Sequence, residues 1–389
     1  MSRSVRVGAA LVATAVLAVG CSNDGNGDPP GRAAPLPPSS SPSATPPSAG
    51  PAGPSPHAST ATPPLRPGTP QAFVRGLAAP WGLAFLPGGD ALVSERDSAR
   101  LLRVRRDGSV QVLGTVPGVD ASGEGGLLGL AVRASFDTDR LVYAYYTSAR
   151  DNRIVRFPLD GDRPGPQQVL VSGIPVSGIH NGGRLVFGPD GMLYAGTGDA
   201  AERGRSQDLG SLGGKVLRMT PEGKPPADNP VPGSLVFSRG HRNVQGLAFD
   251  PAGRLFASEF GQNRFDEVNR IVAGGNYGWP QVEGAGGPPA FRDPLVTWST
   301  DEASPSGAAI AGGSLYVAAL KGERLWRIPL DGRGGLGRPQ PLFVGDFGRL
   351  RHVALAPDGS LWVLTSNRDG RGDPVADDDR IVRIPLVPA

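Results

Sequence analysis

The sequence predicts an all-β fold, a six-bladed β-propeller of four-stranded antiparallel blades. Three observations lead there. A short apolar run recurs six times after residue 71, several strand-like runs follow each copy, and no long segment has helical periodicity. The copies begin at Trp81, Leu128, Gly183, Gln245, Ser306 and His352, and three of them run into Pro-Asp-Gly or Pro-Ala-Gly turns. Their spacing of about 45 to 62 residues is that of propeller blades with variable loops.

The first element of each unit is the repeat itself, as in Trp81-Gly-Leu-Ala-Phe85 and Gln245-Gly-Leu-Ala-Phe249. A second strand follows, as in Ala91–Glu95, Leu193–Gly196, Leu255–Glu259, Leu315–Ala318 and Leu361–Leu364. Third strands include Arg153–Phe157, Lys215–Arg218, Leu325–Ile328 and Arg380–Ile384. Fourth strands include Val169–Val171, Leu235–Phe237, Leu295–Thr297 and Leu342–Val344. The chain ends on a third strand, and Gln71–Val74 reads as a fourth strand with no blade before it. Pairing the two closes the ring and leaves no free sheet edge there.

The residues before 71 read as an address and a stalk. Arg3 and Arg6 precede an apolar stretch from Val7 to Val19, and Leu17-Ala-Val-Gly-Cys21 ends it. That is the layout of a signal peptide, too short for a comfortable membrane span. Its ending resembles a lipoprotein signal, with Cys21 lipidated and the protein held on the outer face of a membrane. Cys21 is the only cysteine, so no intrachain disulfide can form. Residues 22–70 hold fifteen prolines, four charged residues and no aromatic residue. Such a stretch buries too little apolar surface to fold and is expected to be a flexible linker. The propeller is then expected over 71–389. The formal net charge is +3, and no run of basic residues marks a nucleic-acid footprint.

Antiparallel strands sort the loops by face. Loops entering first strands, and loops between second and third strands, share one end of the ring. The first class contains Glu124, His180-Asn181, His241-Arg242-Asn243 and Arg349-Leu-Arg351. The second contains Asp199, Glu259 to Asn263, Lys321 and Asn367 to Asp369. Four cations, Arg242, Lys321, Arg349 and Arg351, are therefore expected at one mouth. The opposite turns are plain Asp-Gly reverse turns. A face this different from its opposite is a candidate binding site.

The longest patterned stretch is Gly240-His-Arg-Asn-Val-Gln-Gly-Leu-Ala-Phe249, then Ser258-Glu-Phe-Gly-Gln-Asn263, Asp266-Glu-Val-Asn269 and Gly274-Gly-Asn-Tyr-Gly-Trp-Pro280. Together with Gly125–Leu130 and Gly213–Arg218 it resembles the glucose/sorbosone dehydrogenase family, sugar dehydrogenases that depend on pyrroloquinoline quinone (PQQ). The likeness covers roughly residues 73–386, all six blades. It implies PQQ-dependent oxidation of an aldose at the anomeric carbon to the lactone, with Ca²⁺ polarising the quinone. It implies catalytic roles for His180 as general base, Asp199 as its orienting carboxylate and Arg242 beside the reactive quinone oxygens. Cofactor contacts fall on Arg242, Asn243, Lys321, Arg349 and Arg351, since PQQ is a planar tricarboxylate. Backbone carbonyls of Gly261 and Gln262 fall at the Ca²⁺ position. Glu124 and His180 fall at the sugar.

Three positions depart from the glucose dehydrogenase pattern. Gln262 replaces a proline, Glu124 a glutamine and Ile179 an aspartate. They leave the redox chemistry in place and the particular sugar open, as is the natural electron acceptor. Two other readings stand beside this one. A calcium lactonase would use Glu124, Asn181 and Asn243 around an axial metal, but has no use for four cations. A non-catalytic, surface-anchored sugar-binding or interaction propeller would keep the fold alone.

Overall fold

The computed structural model describes residues 65–389. The signal peptide, Cys21 and most of the expected linker lie outside the described residues. No helix among the described residues is long and apolar enough to cross a membrane.

Six antiparallel sheets follow one another along the chain. Blade 1 contains Pro80–Phe85, Ala91–Glu95, Arg100–Val104 and Val110–Thr115. Blade 2 contains Leu127–Val132, Leu141–Thr147, Asn152–Asp160 and Gln168–Ile174. Blade 3 contains Leu185–Phe187, Leu193–Gly196, Lys215–Met219 and Val236–Arg239. Blade 4 contains Val244–Phe249, Leu255–Glu259, Phe265–Ile271 and Val296–Ser299. Blade 5 contains Pro305–Ala311, Ser314–Ala319, Arg324–Pro329 and Gln340–Leu342. Blade 6 contains Leu350–Leu355, Leu361–Thr365 and Ile381–Ile384, and is completed by Gln71–Val74. The last strand of blade 5 ends at Leu342 rather than running to Val344, because Phe343 turns to a φ of 53°.

Ring closure occurs as the sequence predicts. Gln71 and Ala72 pair with Arg383 and Val382. Phe73 and Phe85 pack on Trp362 with ring centroids 4.7 and 4.9 Å away, so blades 6 and 1 share a core. The first strands are innermost. Residues from all six line an axial cavity of about 320 Å³, among them Leu83, Leu130, Leu185, Leu247, Ala308 and Val353. This cavity draws on the middle and far ends of those strands, away from the loops that enter them.

The linker boundary needs correction. Leu65–Pro67 is a strand, paired antiparallel with Leu386–Pro388 beyond the last blade strand. The Gly68 N–H also donates to the Pro385 carbonyl at 2.8 Å. The ordered body thus begins by residue 65, not 71. The C-terminal residues offer an open strand edge, and backbone pairing there does not require apolar side chains, which is why composition gave no sign of it.

Candidate active site

The loop-sorting expectation places His180 and Asp199 at one mouth, and the structure joins them. His180 Nδ1 lies 2.7 Å from Asp199 Oδ1. Asp199 is fully buried, and its other oxygen accepts the Trp279 indole N–H at 2.9 Å. Burial pushes the Asp199 carboxyl up, but bonds from His180, Trp279 and the Ala201 N–H outweigh it, and the net shift is downward. An ionised carboxylate only accepts, so His180 carries a proton on Nδ1, and in the neutral imidazole Nε2 is then the acceptor. Trp279 sits in the Gly274–Pro280 motif, yet nothing in that motif signals a partner eighty residues away in sequence.

His180 is held in a costly backbone conformation. Its φ is 58°, in the left-handed region that non-glycine residues avoid. Glu124 Oε2 accepts its N–H at 2.9 Å. Its carbonyl lies so close to Gly198 that a Cβ there would sit 1.9 Å away, which requires glycine. Glu124 therefore braces His180 through its backbone, a contact that a sugar-contact assignment alone does not capture. Its Oε1 accepts from Arg371, in the Asn367–Arg380 loop of blade 6, at 2.8 Å. Burial raises the Glu124 carboxyl, and the His180 N–H and Arg371 more than offset this, holding it below its ordinary value.

Arg242 and Asn243 follow directly on buried His241. The Arg242 N–H donates to Glu259 Oε2 at 2.9 Å, and its guanidinium lies over the Trp279 ring at 5.7 Å. Burial lowers the Arg242 pKa, partly countered by Asp199, Glu283, Glu124 and Asp266. Asn243 is fully buried, and its Oδ1 accepts the Gly182 N–H at 3.0 Å. Arg349 and Arg351 share Asp369 Oδ2 at 3.1 and 3.3 Å, and Arg351 also donates to Gln245 at 2.9 Å. Burial pushes Arg351 down to about 10. Asp369 is their buried counter-ion and was not singled out by sequence, although its loop was of the right class.

Lys321 stands apart. It is exposed and pairs with Asp301, whereas the two arginines share Asp369. The expected convergence of four cations is thus two arginines, Arg349 and Arg351, bridged by Asp369, with Arg242 beside the His180–Asp199 dyad and Lys321 on the rim.

Several buried donors at this mouth have no partner among the described residues: Arg242 Nε, Asn243 Nδ2, Arg349 Nε and Arg351 Nε. Unpaired buried donors are costly, and four donors without acceptors suit an acceptor-rich anion. The residues therefore fit a planar polycarboxylate. On the blade 4 side, the Gly261 and Gln262 carbonyls accept no hydrogen bond among the described residues. Free carbonyl oxygens suit a hard cation such as Ca²⁺.

The glucose/sorbosone dehydrogenase family model matches residues 77–381. The chain belongs to the glucose/sorbosone dehydrogenase family. It is a member of a family of sugar-oxidising oxidoreductases. A solved structure described as the PQQ-bound form of aldose sugar dehydrogenase from Streptomyces coelicolor is similar at 55% identity and a TM-score of 0.80. That match covers 84% of this chain and all of the other. Aldose sugar dehydrogenase YliI of Escherichia coli K12 is 30% identical, over 75% of this chain and 88% of its own length. Quinoprotein glucose dehydrogenase B of Acinetobacter calcoaceticus is 34% identical, over 55% of this chain and 52% of its own.

Proposed function

We propose that this family member oxidises an aldose at its anomeric carbon, giving the lactone, with PQQ as electron acceptor and Ca²⁺ as Lewis acid. The observation that carries it is the set of unpartnered buried donors on Arg242, Asn243, Arg349 and Arg351, gathered at the mouth that holds His180. The PQQ-bound relative and the family membership support it. Bound there, the quinone supplies a two-electron oxidant for the C1–H hydride.

The chain's own residues do the rest. His180 Nε2 takes the C1 hydroxyl proton, because Asp199 holds the Nδ1 proton and offsets the imidazolium charge that forms. Arg242 offers positive charge where negative charge develops. Arg349 and Arg351 hold carboxylates, tempered by Asp369. Glu124 keeps His180 in register. Lys321 reaches the cofactor only after leaving Asp301. Gly261 and Gln262 present their carbonyls to the metal.

A lactonase is less well supported. Both Glu124 oxygens and the Asn181 side chain are already hydrogen-bonded, and Asn243 Oδ1 is held by Gly182. The N-terminal signal further leads us to propose an extracytoplasmic protein anchored through lipidated Cys21. Mass spectrometry of the membrane-extracted protein tests this by detecting the acylated N-terminal peptide. For the activity, apoprotein is titrated with PQQ and Ca²⁺ and dye reduction is followed over a panel of aldoses. Turnover that needs both additions, with lactone as product, supports the reading. Failure to bind PQQ sinks it.

A further inference from the structure

Glu283 follows the Gly274–Pro280 motif and has no role in the scheme above. Its Oε1 accepts the N–H groups of Gln262 at 2.7 Å, Asn263 at 3.0 Å, Arg264 at 2.9 Å and Phe265 at 3.1 Å. Four successive amides converge on one carboxylate oxygen, which is an anion seat made of backbone. The amide before them, Gly261, donates to Asp266 Oδ1 at 2.8 Å. Every N–H from 261 to 265 is thus tied to a carboxylate.

The covalent geometry then fixes the other side of the loop. These peptides are not among the cis bonds of the chain. In a trans peptide the carbonyl points opposite to the N–H of the next residue. The Gln262 N–H shares a plane with the Gly261 carbonyl, and the Asn263 N–H shares one with the Gln262 carbonyl. Both N–H groups point at Glu283, so both carbonyls face away from it. Neither carbonyl accepts a hydrogen bond among the described residues. Gln262 can take part because, unlike a proline, it has an N–H to donate.

We propose that Glu283 is a positioning residue for a divalent cation: it clamps the amides of residues 262–265 and so presents the Gly261 and Gln262 carbonyls as a preformed pair of ligands. The inference rests on the quinone and Ca²⁺ reading above. Glu283 acts through the backbone and does not touch the metal. Preorganised carbonyls bind a cation without first paying for loop ordering.

The test uses the full chain with saturating PQQ and no sugar. Ca²⁺ affinity is measured by calorimetry for wild type, Glu283→Gln and Glu283→Ala. Amide exchange at residues 262–265 and PQQ affinity are measured alongside. Glu283→Gln keeps the shape and guards against loss of fold in the alanine variant. The expected result is a loss of Ca²⁺ affinity of about tenfold or more in Glu283→Gln, from weakened charge-assisted bonds. Faster exchange at 262–265 and little change in PQQ affinity should accompany it. A merely structural role would lower the melting temperature without a selective loss of Ca²⁺. Wild-type Ca²⁺ affinity in a folded Glu283→Gln, or unchanged exchange, would overturn the proposal and leave the Ca²⁺ reading intact. Absence of Ca²⁺ binding in wild type would overturn both.

Discussion

Replacing Asp199 by Asn tests the dyad at its least forgiving point. The carboxylate is fully buried and serves three donors: His180 Nδ1 at 2.7 Å, the Ala201 N–H at 2.9 Å and Trp279 Nε1 at 2.9 Å. Asparagine keeps one acceptor oxygen and adds an amino group that can only donate. If that group faces Trp279, two donors oppose each other. If it faces His180, the imidazole must release the Nδ1 proton, and Nε2 then carries the proton it should accept. In both cases the negative charge beside the forming imidazolium is gone. Two unit charges about 4 Å apart at an effective dielectric near 20 interact by about 4 kcal/mol. That corresponds to about a thousandfold in rate. We expect turnover of the PQQ- and Ca²⁺-loaded variant to fall by about that factor, read by stopped-flow dye reduction. PQQ affinity should stay within a few-fold of wild type, because the arginines are untouched. The opposed or orphaned donor should also cost about 1–3 kcal/mol of stability in a denaturant titration. A folded Asp199→Asn protein within threefold of wild-type turnover would refute the role given to this pair.

Three further outcomes are expected. Arg351→Ala removes a buried cation that shares Asp369, so PQQ affinity measured by fluorescence titration should fall about a hundredfold, from roughly 2–3 kcal/mol of lost charged hydrogen bonds; unchanged affinity would show that the cofactor does not use it. Lys215 donates to the carbonyls of Arg205, Ser206 and Gly213 and is buried, which lowers its pKa from 10.5 to about 8. The unfolded chain therefore binds more protons between these values, and stability should rise across that window by about 3 kcal/mol; Lys215→Met should abolish this rise in melts taken at pH 8 and 10. Deleting residues 65–70 removes the pairing with Leu386–Pro388 and should lower the melting temperature by a few degrees, while dye reduction persists. An unchanged melting temperature would show that this pairing adds no stability.

The ring was legible because its information is periodic. Six apolar runs with matching followers define blades, and an unpartnered Gln71–Val74 beside a terminal third strand defines the closure. The same periodicity sorted His180, Asp199, Arg242, Arg349 and Arg351 onto one face. What the sequence did not reveal lies in single long-range contacts. Loop class put Asp369 at the same mouth as Arg349 and Arg351, but not in contact with both of them. Trp279 and Glu283 act eighty and about twenty residues from their partners, and no local pattern encodes such a bond. Loop class could place Lys321 near the mouth, but it could not see that Asp301 would draw the side chain to itself on the exposed rim. Leu65–Pro67 escaped notice because its pairing is through backbone, inside a proline-rich stretch.

The central claim is that His180 accepts a proton as an aldose reduces the quinone. The most direct measurement is anaerobic mixing of PQQ- and Ca²⁺-loaded protein with an aldose, with quinone absorbance followed in wild type and His180→Ala. The account predicts rapid loss of the quinone spectrum in wild type, slowed several-fold by deuterium at C1. It predicts essentially no change in His180→Ala despite full PQQ binding. Quinone reduction in His180→Ala at the wild-type rate would contradict it.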